Sequence, residues 1–266
     1  MIPETIVVPL DGSEFATRAV PVATALAART GARVVLVRAP LFDDGKERVT
    51  EYLHGIAAAA GGDPEIVVPD ERDPARAILE VVAGRPGSML CMTTHGRGGL
   101  RWAVLGSVAE EVLLSASRPV LLVGPRCARD WDPGVGHVVV CHDGSELTEL
   151  VSDDACDLAT VLGERELWIA TVIHPLDVEG AEHPGPIFEQ PQAAVAARGL
   201  KAHALLSRSS YPPGGLADAA HDLPASFLVM ATHGRTGLAR VTVGSCTMGV
   251  LGLAPCPVLV RAAPRS

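Results

Sequence analysis

The segment Thr94-His95-Gly96-Arg97, followed by Gly99-Leu100 and Gly106-Ser107, returns as Thr232-His233-Gly234-Arg235, Gly237-Leu238 and Gly244-Ser245, every pair 138 residues apart. A passage that recurs at one spacing over this length is a duplication, so the chain folds as two copies of one unit. In both copies a strand-like run, Ser88 to Met92 or Phe227 to Met230, leads into the glycines, and helix-compatible sequence follows the Gly-Ser pair. Glycines between a strand and a helix N-terminus expose backbone N–H groups to an anion, which makes phosphate the first ligand to consider.

The repeat begins at the first strand. Ile6 to Glu14 aligns with Val138 to Glu146 at a spacing of 132 residues, so the second copy carries six more residues between its two motifs. The Pro- and Gly-rich stretch from His183 to Pro191, with Tyr211-Pro212-Pro213-Gly214-Gly215 downstream, is the natural place for them. The first domain is expected over residues 1–128 and the second over 136–264. Between them Asp130, Asp132, Pro133 and Gly134 break the apolar pattern.

Short all-apolar runs at Ile6 to Val8, Val34 to Val37, Ile66 to Val68, Met89 to Met92 and Val120 to Val123 predict parallel strands covered on both faces. Helical spacing lies between them: Phe15, Ala19, Val22 and Leu26 follow Ser13, an N-cap candidate, and Val108, Val112, Leu113 and Ala116 follow Ser107. The second copy repeats the scheme with strands near Val138 to Val140, Leu167 to Ala170, Ala202 to Leu206, Phe227 to Met230 and Pro257 to Val260. Its second crossover, Asp177 to Gln190, is too rich in Pro, Gly and His for a helix, which leaves a short one over about Pro191 to Arg198. The expected fold is α/β: two tandem doubly wound, Rossmann-like domains, each with a five-stranded parallel sheet and its ligand beyond the carboxyl ends of the strands.

Composition narrows the partners. With 48% hydrophobic residues the chain can fill two cores, and a formal charge of −9 opposes nucleic acid and anionic lipid. Aromatic residues make up 3%, too few for the stacking platforms of a single-strand binder. No apolar segment approaches the roughly 20 residues of a membrane helix, and the start Met1-Ile2-Pro3-Glu4-Thr5 has no basic region before an apolar stretch; a cytoplasmic protein is expected. The six cysteines form no C-x-x-C pair and no zinc spacing with histidine, so they read as reduced core thiols and no metal site is expected.

Asp11 and Asp143 end the first strands, each followed by Gly-Ser and a helix. A carboxylate there can accept from ribose hydroxyls, and it can equally cap its own turn; its recurrence beside a glycine motif favours binding. Pro9 and Cys141, two residues earlier, border the same place. Neither glycine loop has the Lys of a P-loop, and no G-x-G-x-x-G follows the first strand. Arg97 and Arg235 sit within the loops and suit phosphate, or solubility. His95 and His233 lie beside no nucleophile or orienting carboxylate and read as loop-fixing rather than catalytic.

The spacing Thr93-x2-Gly96-x9-Gly106-Ser107, with Arg118-Pro119-Val120 before the last strand, and its copy Ala231-x2-Gly234-x9-Gly244-Ser245, with Cys256-Pro257-Val258, resemble the universal stress protein family. That family carries G-x2-G-x9-G-(S/T) behind a first-strand Asp; here Thr93 and Ala231 stand at its first glycine. The resemblance covers essentially the whole chain and is that of a tandem member. It implies strand order 3-2-1-4-5 in each domain and adenine nucleotide at the strand ends. Asp11 and Asp143 would then meet the ribose, and Ala39 and Val172, ending the second strands, would border adenine. The loops Thr93, Gly96, Arg97, Gly98, Gly99 and Ala231, Gly234, Arg235, Thr236, Gly237, with Gly106-Ser107 and Gly244-Ser245, would take the phosphates.

The function expected is an ATP-binding stress-response regulator that senses nucleotide and presents the result to a protein partner. ADP or cyclic AMP are the other ligands considered, and Mg would accompany the nucleotide. An internal pseudo-dimer and a further homodimer are expected from the resemblance. A slow ATPase in the same pocket is the enzymatic alternative, although no second acidic residue lies in the loops for a base or a metal; a ligand-free interaction module is the other. Adenylating enzymes of related topology would need Ser-Gly-Gly-x-Asp-Ser after the first strand, which is absent.

Overall fold

The computed structural model describes residues 3–41, 44–95, 105–145, 147–176, 185–232 and 243–262. By contacts the chain divides into two compact units, one running up to Val123 and the other from Gly124 onward.

The first unit alternates strand and helix: β1 (Thr5–Pro9), α1 (Ala19–Thr30), β2 (Arg33–Val37), α2 (Lys46–Ala60), β3 (Glu65–Val67), α3 (Pro74–Ala83), β4 (Ser88–Thr93), α4 (Ser107–Ser115) and β5 (Val120–Val123). All neighbours pair in parallel in the order β3-β2-β1-β4-β5. Ile6, Val7, Val8 and Val35 to Val37 are fully buried, as β-branched and aliphatic runs covered on both faces must be. Because β1 pairs with both β2 and β4, the winding reverses there and opens a crevice at the carboxyl ends of these strands.

The second unit repeats the order: β6 (His137–Cys141), α5 (Leu147–Leu162), β7 (Glu166–Ile173), α6 (Gly185–Ala197), β8 (Lys201–Arg208), α7 (Pro212–Asp222), β9 (Ala225–Ala231), α8 (Ser245–Leu253) and β10 (Val258–Arg261). Its sheet is parallel throughout, with β6 again central, in the order β8-β7-β6-β9-β10. The doubly wound fold and strand order expected from the sequence are therefore present in both copies.

Four local expectations are corrected. Ser13 does not cap α1: its Oγ accepts from the Ala16 N–H at 3.1 Å and starts a 3-10 turn, Ala16–Arg18, ahead of the α-helix. Ser107 and Ser245 are the first residues of α4 and α8, with Gly106 and Gly244 in the cap position. The second crossover is a full helix from Gly185, with Pro191 inside it. Burial of Phe188, Pro191 and Val195 on one face outweighs the intrahelical bond that proline forfeits. Finally, β7 runs on to Ile173, paired with β8 as far as Ile173↔Arg208, so Val172 lies inside the strand rather than at its end.

The segment after Gly124 is tied down despite its charges and turns. Ala128 N–H donates to Pro255 O at 2.8 Å, Trp131 Nε1 donates to Ser226 O at 2.7 Å, and the Trp131 ring meets Phe227 edge-on at 5.0 Å.

Candidate functional site

At the crevice of the first unit lies a cavity of about 460 Å³, within the range that holds a small-molecule ligand. Of the residues singled out from the sequence, Pro9, Asp11, Ala39, Thr93, Gly106 and Ser107 line it. Gly96, Arg97, Gly98 and Gly99 lie outside the described residues, as do Gly234, Arg235, Thr236 and Gly237 with His233.

One wall of the cavity is the turn after β1. Leu10 N–H donates to Val37 O at 2.8 Å and extends the β1–β2 ladder by one residue. Asp11 Oδ1 then accepts from Ser13 N–H at 2.8 Å and from Ser13 Oγ at 2.7 Å. Gly12 stands between them at φ 89°, a conformation that glycine adopts without strain. The carboxylate that closes this turn is thus also one that lines the cavity. In the second unit Asp143 Oδ1 accepts from Ser145 N–H at 3.0 Å around Gly144 at φ 80°.

The opposite wall is the start of α4. Gly106 N–H donates to Thr94 O at 2.7 Å, which stitches together the two ends of the glycine loop; Gly244 N–H and Thr232 O make the same bond at 2.9 Å. The cap position of α4 is Gly106, which has no side chain to cap with, and the first turn, from Ser107 to Ala109, lines the cavity. Uncapped N–H groups at a helix N-terminus attract an anion through both hydrogen bonds and the helix dipole. Thr93, at the position of the pattern's first glycine, turns its hydroxyl back to His95 O at 2.8 Å.

His95 also lines the cavity. Its Nδ1 lies 3.0 Å from Thr94 Oγ1, its ring meets Phe15 edge-on at 6.0 Å, and burial holds its pKa below the ordinary histidine value. Burial thus disfavours the protonated form of the imidazole.

Much of the lining is apolar, with Pro9, Val37, Ala39, Leu41, Ile78 and Met92 among it. Arg38 is the cation among the described lining residues, and it was missed from the sequence. A charged residue directly after an apolar strand, with Asp44 six residues on, was the available signal. Pro74 and Ile78 enter from α3, whose N-terminus Asp73 caps by accepting from Arg76 N–H at 2.9 Å.

The corresponding corner of the second unit differs in its side chains. Cys141 is buried, which pushes its thiol well above the ordinary value; Cys246, in the first turn of α8, is raised by burial and by the nearby Asp143 charge. Neither is a thiolate at neutral pH. Thr247 Oγ1 donates to Ala231 O at 3.1 Å, a bond that Ala109 of the first unit cannot make. Tyr211 replaces Asp73 ahead of α7 and makes no capping bond. None of the six cysteines is in a disulfide, and no cluster of three metal-ligating side chains occurs among the described residues. No helix among them is long and apolar enough to cross a membrane.

Two five-stranded parallel sheets, each with an Asp-Gly-Ser turn after its central strand and a glycine at the cap of the helix that follows the glycine loop, define a duplicated α/β protein, with a cavity at the topological switch point of the first unit. The family model described as "Universal stress protein family" matches residues 38–124 and 134–261, and the chain belongs to that family. A universal stress protein of Mycobacterium tuberculosis is 28% identical over 232 residues, 82% of this chain and 77% of that protein. One from Thermus aquaticus is 34% identical over 134 residues, 45% of this chain and 98% of its own. Among solved structures, a universal stress protein from Archaeoglobus fulgidus superposes with a TM-score of 0.71 at 18% identity, covering 98% of this chain and 99% of that one.

Proposed function

We propose that this chain binds adenine nucleotide, ATP foremost, and serves as a nucleotide-dependent regulator that presents its occupancy to a protein partner. The observation that carries the reading is the first-unit cavity, where the Asp11 carboxylate faces the uncapped α4 N-terminus. Polyphosphate lies against the α4 N–H groups and the glycine loop, ribose against Asp11, and the base against Ala39 and the apolar end. The same turn and the same loop stitch at Asp143 and Gly244 support a second site. Occupancy of the cavity biases a surface that the partner reads.

Mass spectrometry of ligand released from the purified protein, with titration calorimetry of the emptied protein, tests the reading. Adenine nucleotide in the extract, or saturable ATP binding, is expected. An empty protein whose thermal unfolding is indifferent to millimolar ATP would leave a ligand-free interaction module in its place.

A further inference from the structure

The wall of the first-unit cavity is built beyond the end of its strand. β2 stops at Val37, and the last backbone bond to β3 on this side is Arg38 N–H to Val67 O at 3.2 Å. Ala39 and Leu41, which line the base end, therefore stand outside the sheet ladder, and Leu41 is 39% exposed. Something other than β-pairing has to hold them.

That anchor is a buried ion pair across the connection to α2. Arg38 Nη2 meets Asp44 Oδ2 at 2.7 Å with both side chains 7% exposed, and the guanidinium sits 4.9 Å from the centre of the Tyr52 ring. Asp44 Oδ1 also takes Arg48 Nη2 at 2.6 Å, and Asp44 N–H donates to Leu41 O at 2.9 Å. The Arg48 hydrogen bond and the Arg38 charge hold the Asp44 carboxyl below its ordinary pKa against the effect of burial. Asp44 thus fixes Leu41 through its backbone and Arg38 through its side chain.

The second unit solves the same problem differently. The position of Arg38 is taken by Thr171, whose hydroxyl donates to His142 O at 3.0 Å, and β7 continues through Ile173 in register with β8. Val172 is held by the ladder and needs no charge pair.

We infer that Arg38 is a positioning residue for the first site: paired with Asp44, it fixes the Ala39–Leu41 wall against which the base packs, and it acts on nucleobase affinity without contributing to phosphate binding. This rests on the nucleotide-binding reading for its ligand, but not for the tie itself, and the two are tested separately. Removing Arg38 leaves the Asp44 carboxylate with Arg48 alone, so Arg38→Met is examined beside the double variant Arg38→Met/Asp44→Asn, which removes that charge as well.

In ligand-free protein, hydrogen exchange of peptides spanning Ala39 to Gly45 should be at least about tenfold faster in both variants, with the β1, β4 and α4 peptides unchanged. Exchange equal to wild type in this segment overturns the inference whatever the protein binds. In calorimetry, ATP affinity at the first site should fall about tenfold, roughly the loss of one ordered wall contact. Binding of inorganic tripolyphosphate, which carries no base, should remain at the wild-type value. Equal losses for both ligands mean that Arg38 merely supports the fold, and sink the positioning role. Failure of the wild-type protein to bind either ligand refutes the nucleotide reading, while the exchange result still decides what holds the wall.

Discussion

Gly106→Glu separates anion binding from fold stability, because its effects on the two have opposite sign. Gly106 has φ −74° and ψ 156°, an extended conformation open to any residue, and its own N–H keeps the bond to Thr94 O after substitution. A carboxylate at the cap of α4 lies at the positive end of the helix dipole, so ligand-free stability should hold or rise by about 0.3–1 kcal/mol. The same carboxylate occupies the place proposed for phosphate. At about 4 Å and an effective dielectric near 20, each pair of unit charges repels by about 4 kcal/mol, close to a thousandfold in affinity. At a wild-type affinity of about 10 μM, 1 mM ATP adds roughly 2.7 kcal/mol per site, and the variant should lose that increment at one site. Thermal scans with and without ATP, run beside calorimetry, read both quantities. A titration that superimposes on the wild-type curve, from a variant of undiminished stability, would refute the placement of phosphate at α4.

Gly244→Glu should remove a weaker binding event than Gly106→Glu does, because the second corner has the polar pair Cys141-His142 in place of Pro9-Leu10; a larger loss from Gly244→Glu in calorimetry contradicts this. His95 has a folded pKa below the ordinary 6.5 because it is buried, so below that pH the unfolded chain binds the extra proton and stability falls, recovering fully above it. Urea midpoints of wild type and His95→Gln on either side of pH 6.5 should differ in slope, and parallel curves would count against burial as the cause. Gly136→Ala places a Cβ 1.9 Å from Pro224 O at φ +109°, so it should cost about 1–3 kcal/mol from conformation alone, before any backbone shift; an unchanged urea midpoint would show that this turn relaxes freely.

The frame was legible because its signals are local and doubled. Apolar runs of β-branched residues have one economical home, a parallel sheet covered on both faces, and a repeat at fixed spacing states the domain count. Asp11, Gly106 and Ala39 could be located on the fold for the same reason: Gly106 caps a helix start, and Asp11 and Ala39 each lie just beyond a strand that the pattern itself marks. The misses came where tertiary packing decides. Pro191 looks like a helix breaker until Phe188 and Val195 bury on its face, and the length of β7 follows from eight-residue pairing with β8 that no window of sequence contains. Ser13 and Ser107 both fit the chemistry of a cap, but the first caps a 3-10 turn and the second follows the cap, a shift within the uncertainty of any helix end. Arg38 was invisible because its role depends on Asp44 coming back to meet it.

The two copies divide their features unevenly between the ends of the proposed ligand. What is common lies at the anion and sugar end: the Asp-Gly-Ser turn and the bond that joins the glycine loop to its helix, Gly106 to Thr94 and Gly244 to Thr232. What differs lies mostly around the base wall, an ion pair against a strand extension and Asp73 against Tyr211, with Ala109 against Thr247 a difference in the first helical turn at the anion end. Backbone groups do most of the work at the first end, so substitutions there are felt as lost geometry, whereas the second end is made of side chains that can change one at a time. If both sites bind nucleotide as proposed, they would take the same polyphosphate and differ in affinity chiefly through the base end. Unequal affinities would then fill the sites at different concentrations of one nucleotide, and a single chain would respond over a range of concentration rather than at one threshold.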